Sequence, residues 1–197
     1  MSADAPTLEY EAEPILQDFP DSFESERLLI RAPRAGDGAL VSEAVLESLV
    51  EMRPWMDWVH FPQTPERCEE SIRRSMARWI LREDLRLNLF DKVTGRYIGG
   101  SGLHRPDWDA RSFEIGYWIR TSEAKKGYMT EAVRAITAWA FDTLRANRVE
   151  IRMDARNERS WKVAERAGFP REAVLVKHRR ALDGVIADTF VYARSRP

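Results

Sequence analysis

The chain has 197 residues, 44% hydrophobic and 32% charged, with a formal net charge of −1, which describes one ordinary domain able to bury a core. Seven Trp and eight Phe exclude a disordered chain, a single cysteine (Cys68) excludes a disulfide scaffold, and the lack of any run of about 18 apolar residues excludes a membrane span. Of the 32 acids, eight fall in residues 1–26 with no Lys or Arg among them, leaving 24 acids against 31 basic side chains in the rest; such a body suits a phosphate-rich ligand, an acidic partner or simply a solvated surface.

Residues 1–24 read as an acidic, irregular arm, with Pro6, Pro14 and Pro20 but no sustained period. Residues 25–197 read as one domain. Met1–Pro14 lacks the basic-then-apolar order of a signal peptide, so the expected location is the cytoplasm. Arg27–Arg31 is a short strand, and Asp37 is placed to cap a helix running to about Val50. Met52–Phe61 reads as a short helix and a bend. Thr64-Pro65 opens a helix with Cys68, Ile72, Met76, Trp79 and Ile80 along one face.

Leu85–Asp91 and Tyr97–His104 form a hairpin through Thr94-Gly95. In Arg111–Arg120, Phe113, Ile115, Tyr117 and Ile119 share one face, with Glu114, Gly116 and Trp118 on the other. A helix from Tyr128 to about Leu144 buries Ala132, Ala135, Ile136, Trp139 and Ala140. Arg148–Ala155 is a strand, Ser160–Ala167 a helix stopped by Gly168, and Val174–Arg180 with Val185–Tyr192 a closing hairpin. The order predicts a mixed α/β fold, a largely antiparallel sheet with one strand–helix–strand unit at its centre.

Two joins carry the chemistry. In the first, a strand runs through a short loop into a helix at Lys125-Lys126-Gly127-Tyr128-Met129-Thr130. The first turn of a helix has amide N–H groups without partners and a positive dipole end. A glycine there lets an anion approach closely. The same residues also suit an ordinary tight turn with solvated lysines. In the second, Asn157-Glu158-Arg159-Ser160 precedes Ala167-Gly168-Phe169, and Asn157 and Ser160 are both good helix caps.

Taken in order, Glu114–Ile119, Lys126–Ala132, Asn147–Glu150 and Asn157–Phe169 resemble the GNAT superfamily of acyl-CoA-dependent N-acyltransferases. Ser25–Arg31 narrows the resemblance to the branch of ribosomal-protein N-terminal acetyltransferases. The resemblance implies a twisted, splayed sheet of about seven strands flanked by helices. It implies acetyl-CoA as acyl donor, held by the backbone of Trp118, Ile119 and Arg120, by the loop Lys125, Lys126, Gly127, Tyr128, Met129 and Thr130, and by Asn157. Ser160 matches the hydroxyl that protonates the leaving thiolate. Two positions depart from the pattern: Ala124 stands where the phosphate loop often begins with Gln or Arg, and Met129 where it has Gly or Ala.

The general base falls to Glu114 or His104, with Glu114 ranked first. Glu114 also suits a salt bridge to Arg152, and His104 an exposed strand end. No grouping has metal-ligand spacing, so no metal is expected. Direct transfer to a primary amine follows, most simply a protein or peptide N-terminus. The alternatives are a small-molecule amine acceptor and a non-catalytic acyl-CoA-binding module. No nucleic-acid or membrane contact is expected, and a homodimer is compatible with this reading. Trp55, Met56, Trp58 and Phe61 either shape the acceptor groove or pack the early helices.

Overall fold

The computed structural model describes residues 13–196. Eight strands form one sheet: β1 (Ser22–Glu24), β2 (Leu28–Arg31), β3 (Leu85–Asp91), β4 (Tyr97–Asp107), β5 (Ser112–Ile119), β6 (Arg148–Asp154), β7 (Arg171–Arg180) and β8 (Ile186–Ser195), in the order β1-β2-β3-β4-β5-β6-β8-β7. Every pairing is antiparallel except β5 with β6. The helices are α1 (Gly38–Met52), α2 (Pro65–Ile80), α3 (Tyr128–Asp142) and α4 (Glu158–Arg166).

Alternation along the strands divides the core in two. Leu85, Leu87 and Leu89 of β3 and Phe113 and Ile115 of β5 join Ala132, Val133, Ile136 and Ala140 of α3 and Ala164 of α4. On the other face, Phe90 and Tyr97 join Val41, Ala44 and Val45 of α1 and Cys68 and Ile72 of α2. On α2 the expected stripe holds for Cys68, Ile72 and Trp79, whereas Ile80 is exposed. The Thr64 hydroxyl caps α2, accepting from the Arg67 N–H at 3.3 Å.

The structure departs from the sequence reading at three places. The sheet has eight strands rather than about seven, because β1 lies inside the stretch read as an irregular arm. Phe23 of β1 stacks on Trp139 at 4.9 Å, and Phe19 sits edge-on to Trp79 and Trp139 at 6.1 and 5.7 Å. Aromatic burial orders this segment despite its prolines; residues 1–12 of the arm lie outside the described residues. Asp37 does not cap α1 with its side chain. Its carboxylate takes two bonds from Arg31 (2.7 and 2.8 Å) and one from Asn88 (2.9 Å). Burial alone would raise its pKa, but these donors outweigh burial and hold it below the usual value. Finally, β4 does not end at His104 but continues through an irregularity to Asp107.

Candidate active site

The sheet opens between β5 and β6. Their pairing covers only Ser112–Glu114 against Arg148–Glu150, while β5 runs on to Ile119 and β6 to Asp154. Beyond Glu114, β5 bonds to β4 on one side, and its other edge carries backbone groups without a strand partner. Tyr117 spans this gap. Its hydroxyl donates to the Ser160 carbonyl at 2.8 Å and accepts from Ser160 Oγ at 3.2 Å. Burial pushes the Tyr117 pKa up to about 12, so the phenol stays protonated and donating.

Asn157 and Ser160 both serve the start of α4: Asn157 Oδ1 accepts from the Ser160 N–H at 3.2 Å. The helix-cap reading therefore holds for Asn157. Ser160 does more, because its hydroxyl is turned to the gap. Sequence reasoning placed Tyr117 on a packing face and missed its polar end; the available signal was a tyrosine among apolar neighbours just beyond the Glu114-Ile115 step.

The loop between β5 and α3 is shaped for successive amides to point one way. Lys125 and Gly127 have φ of +64° and +86°. The first helical bond of α3 runs from the Glu131 N–H to the Gly127 carbonyl at 3.1 Å, so the N–H groups of Tyr128, Met129 and Thr130 precede the helix ladder. Met129 turns its side chain into the core and does not crowd these amides. The lysines differ from each other. Lys125 is exposed, but Lys126 Nζ is drawn back to buried Glu123 at 2.8 Å.

A cation that the sequence reading did not assign takes its place. Arg27 donates to the Lys126 carbonyl at 3.0 Å, lies over the Tyr128 ring at 4.4 Å and pairs with Glu131 at 2.6 Å. Glu131 also accepts from the Ser25 hydroxyl and the Arg27 N–H. The Ser25–Arg31 stretch thus braces the loop, a contact between residues about a hundred positions apart that no local pattern reveals.

The remaining expected site residues separate. Ile119 is half-buried on the α3 side, and Trp118 faces the other side, edge-on to Trp58 at 6.1 Å. The Arg120 guanidinium is buried against Glu43 and Glu47 of α1, so it anchors the loop and points at no ligand. Glu114 pairs with Arg105 at 2.7 Å, not with Arg152, which bonds to Glu150. His104 Nδ1 lies 2.7 Å from Asp84 Oδ2.

Above the α1 face lies a groove of about 400 Å³ lined by Arg53, Pro54, Trp55, His60, Arg156, Leu182 and Asp183. It joins the segment after α1 to the tip of the β7–β8 hairpin; of the four residues Trp55, Met56, Trp58 and Phe61, Trp55 lines it and Met56 packs against the core. Its one carboxylate, Asp183, is already paired with Arg156 at 2.7 Å. Among the described residues no group of three or more His, Cys, Asp or Glu is placed to hold a metal ion, and no helix is long and apolar enough to cross a membrane.

Comparison with known proteins gives the same picture. Residues 27–170 match the family model described as an acetyltransferase (GNAT) domain. The chain is 31% identical over 154 residues to the Bacillus subtilis (strain 168) protein named "Putative ribosomal N-acetyltransferase YdaF", covering 75% of this chain and 80% of that one. Two solved structures share the fold. One is the microcin C7 self-immunity acetyltransferase MccE in complex with acetyl-CoA and AMP, with a TM-score of 0.82 at 22% identity over 90% of this chain and 98% of that one. The other is the ribosomal L7/L12 α-N-protein acetyltransferase RimL in complex with coenzyme A, with a TM-score of 0.78 at 20% identity over 87% and 95%. The opened sheet, the loop before α3 and a family match over most of the chain lead to one assignment: this chain is an N-acetyltransferase of the GNAT family.

Proposed function

We propose that the protein transfers an acetyl group from acetyl-CoA to the α-amine of a peptide or protein N-terminus. The observation that carries this reading is the free edge of β5 beyond Glu114, facing a gap that ends at the α3 amides. A strand edge offers alternating N–H and C=O groups to the amides of a pantetheine arm. The N–H groups of residues 125–130, with Arg27 and Lys125 beside them, suit a pyrophosphate. Gly127, without Cβ, leaves that approach open. Acetyl-CoA supplies the activated acyl group; the protein's own residues supply position and protons.

The Ser160 hydroxyl lies at the gap, where turning its O–H from the Tyr117 oxygen to the departing thiolate gives the sulfur a proton. The thiol's ordinary pKa of about 8.5 makes this help modest. Most of the rate then comes from holding amine and thioester together. An α-amine, with a pKa of about 7.7–8.0, is roughly a tenth neutral near pH 7, whereas a lysine near 10.4 is roughly a few hundredfold less available. The groove supports this acceptor. Arg53 and Arg156 outnumber its single, already paired acid, a poor setting for a polycation, while Trp55 and Leu182 offer apolar surface to a peptide. The name carried by the Bacillus subtilis relative points to the same acceptor class.

The test is a CoA-release screen at matched pH, with N-terminal peptides beside aminoglycosides and polyamines, and titration calorimetry with acetyl-CoA. Peptide turnover above that of every small amine supports the reading. Faster turnover of a polycationic amine moves the acceptor to small molecules. Binding without CoA release for any amine leaves an acyl-CoA-binding module.

A further inference from the structure

His104 sits on β4 opposite Glu114 of β5. Its imidazole folds back along the sheet over the next cross-strand pair, Gly102 and Gly116. A Cβ on Gly116 would come within 2.9 Å of His104 Cδ2 and 3.1 Å of Nε2, and one on Gly102 within 2.9 Å of Cε1. Both positions are glycine, and the ring occupies the space that side chains there would fill. Asp84, just before β3, holds Nδ1 at 2.7 Å, while Nε2 has no hydrogen-bond partner among the described residues. A carboxylate on Nδ1 keeps the proton on that nitrogen and leaves the Nε2 lone pair free to accept. The side chain is about one-third exposed (34%), so Nε2 is within reach of a ligand.

The position matters as much as the tautomer. Gly116 is the first residue on this face beyond the point where β5 parts from β6. Tyr117, the next residue, points to the opposite face and carries Ser160. Proton acceptor and proton donor thus flank the opening from its two sides. Glu114, ranked above His104 in the sequence analysis, lies on the same face but is occupied by Arg105. The other charged group on this face of β3 is Arg86, turned to Ser71 of α2 at 3.2 Å.

We infer that His104 is the general base of the transfer, taking a proton from the acceptor ammonium at Nε2, with Asp84 as its positioning residue. The inference rests on the acetyl-transfer reading above. The ammonium gives one proton to Nε2, which passes it to solvent. The freed nitrogen lone pair forms the C–N bond to the thioester carbonyl carbon, and the C–S bond breaks with its electron pair on sulfur. The second amine proton passes through water to the Ser160–Tyr117 pair as Ser160 gives its own proton to the thiolate, so the hydroxyl ends as it began. The products are the N-acetylated amine, free CoA and one proton.

The test compares kcat/KM for CoA release by wild type, His104→Gln and Asp84→Asn, from below to well above the acceptor's pKa of about 7.7–8.0. The acceptor is one N-terminal peptide. With the base present the ammonium is itself a substrate; without it only the neutral fraction reacts. His104→Gln should therefore lose about tenfold near pH 7, and the deficit should close as the amine deprotonates unaided. Asp84→Asn, whose amide can donate to Nδ1 and force the proton onto Nε2, should show the same pH-dependent deficit with the imidazole still present. Acetyl-CoA affinity by calorimetry should be unchanged in both. A loss equal at every pH, or no loss, overturns the base alone. Failure of wild type to release CoA with any amine overturns the transfer reading and the base together.

Discussion

Tyr117 and Ser160 hold each other by reciprocal hydrogen bonds, hydroxyl to hydroxyl at 3.2 Å and phenol to Ser160 carbonyl at 2.8 Å, across the gap in the sheet. One residue belongs to the strand that opens, the other to the first turn of the helix that follows its departing neighbour. The pair holds the Ser160 O–H on the Tyr117 oxygen until a stronger acceptor, such as a thiolate, draws it away. Ser160→Ala should lower kcat by about tenfold to a hundredfold with the KM for acetyl-CoA nearly unchanged, as expected for a bond made mainly in the transition state. Tyr117→Phe should lower kcat in the same direction and cost about 1 kcal/mol of stability for the lost phenol bond. Steady-state CoA release and thermal melts check both. An unchanged kcat for Ser160→Ala with a lowered melting temperature would reduce Ser160 to a structural residue of α4.

Gly127 separates the anion site from ordinary turn geometry. At φ +86° any L side chain is strained, and its Cβ would lie 3.4 Å from Arg27 Nη2. Gly127→Ala should cost about 1 kcal/mol of folding stability. Gly127→Glu should also remove acetyl-CoA binding in calorimetry, because it sets a carboxylate among the amides. Affinity retained in the glutamate variant would place the pyrophosphate elsewhere.

Residues 19–24, just before β2, are built into the sheet and its core. Phe19 packs against Trp79, Trp108 and Trp139 and lies under the Arg82 guanidinium at 4.0 Å. Phe19→Ala should cost about 2 kcal/mol, below the roughly 3–5 kcal/mol of a fully buried phenylalanine because Phe19 is half-buried. Removing the chain through Glu24 should cost more than that single change, since it also removes β1 and Phe23. Chemical denaturation of both variants measures the difference.

Glu47 links α1 to the loop before α3. Burial alone would raise its pKa. The Ser122 and Arg120 donors outweigh burial and bring it from 4.5 to about 2. Between those values the unfolded chain binds the proton and the folded one does not, so stability falls as the pH drops from about 4.5 toward 2. Glu47→Gln should be less stable at neutral pH and should lose less on acidification over that window. Melts in a pH series read both effects, and parallel curves for the two proteins would refute the linkage.

Much of the fold was legible because it rests on local pattern. The period of α3, the alternation of β5, the Thr94-Gly95 turn and the Thr64 cap each follow from a few neighbouring residues. The loop at Lys125–Thr130 was legible for the same reason. What local pattern could not show were pairings across long sequence separations. Arg27 reaching Glu131, Arg120 reaching α1, Lys126 turned back to Glu123 and the Tyr117 hydroxyl on Ser160 all depend on which strands and helices become neighbours. Charged side chains follow the nearest available partner, so a lysine or arginine near a site in sequence is a weak guide to where its charge ends up. β1 was missed because three prolines disguise a segment whose order comes from two phenylalanines meeting a distant tryptophan.

The gap between β5 and β6 is a sheet edge turned inward. Outer edges risk capture by another polypeptide, but here the Tyr117–Ser160 contact bridges the gap and stands in the way of a strand. The unmet hydrogen bonds are thereby reserved for something thinner than a polypeptide and as extended as one. Such a guest closes the sheet as a removable rung. Its departure after each turnover should loosen the same amides it had fastened, so hydrogen exchange along Ile115–Ile119 should slow when the acyl donor is added and recover when it is consumed.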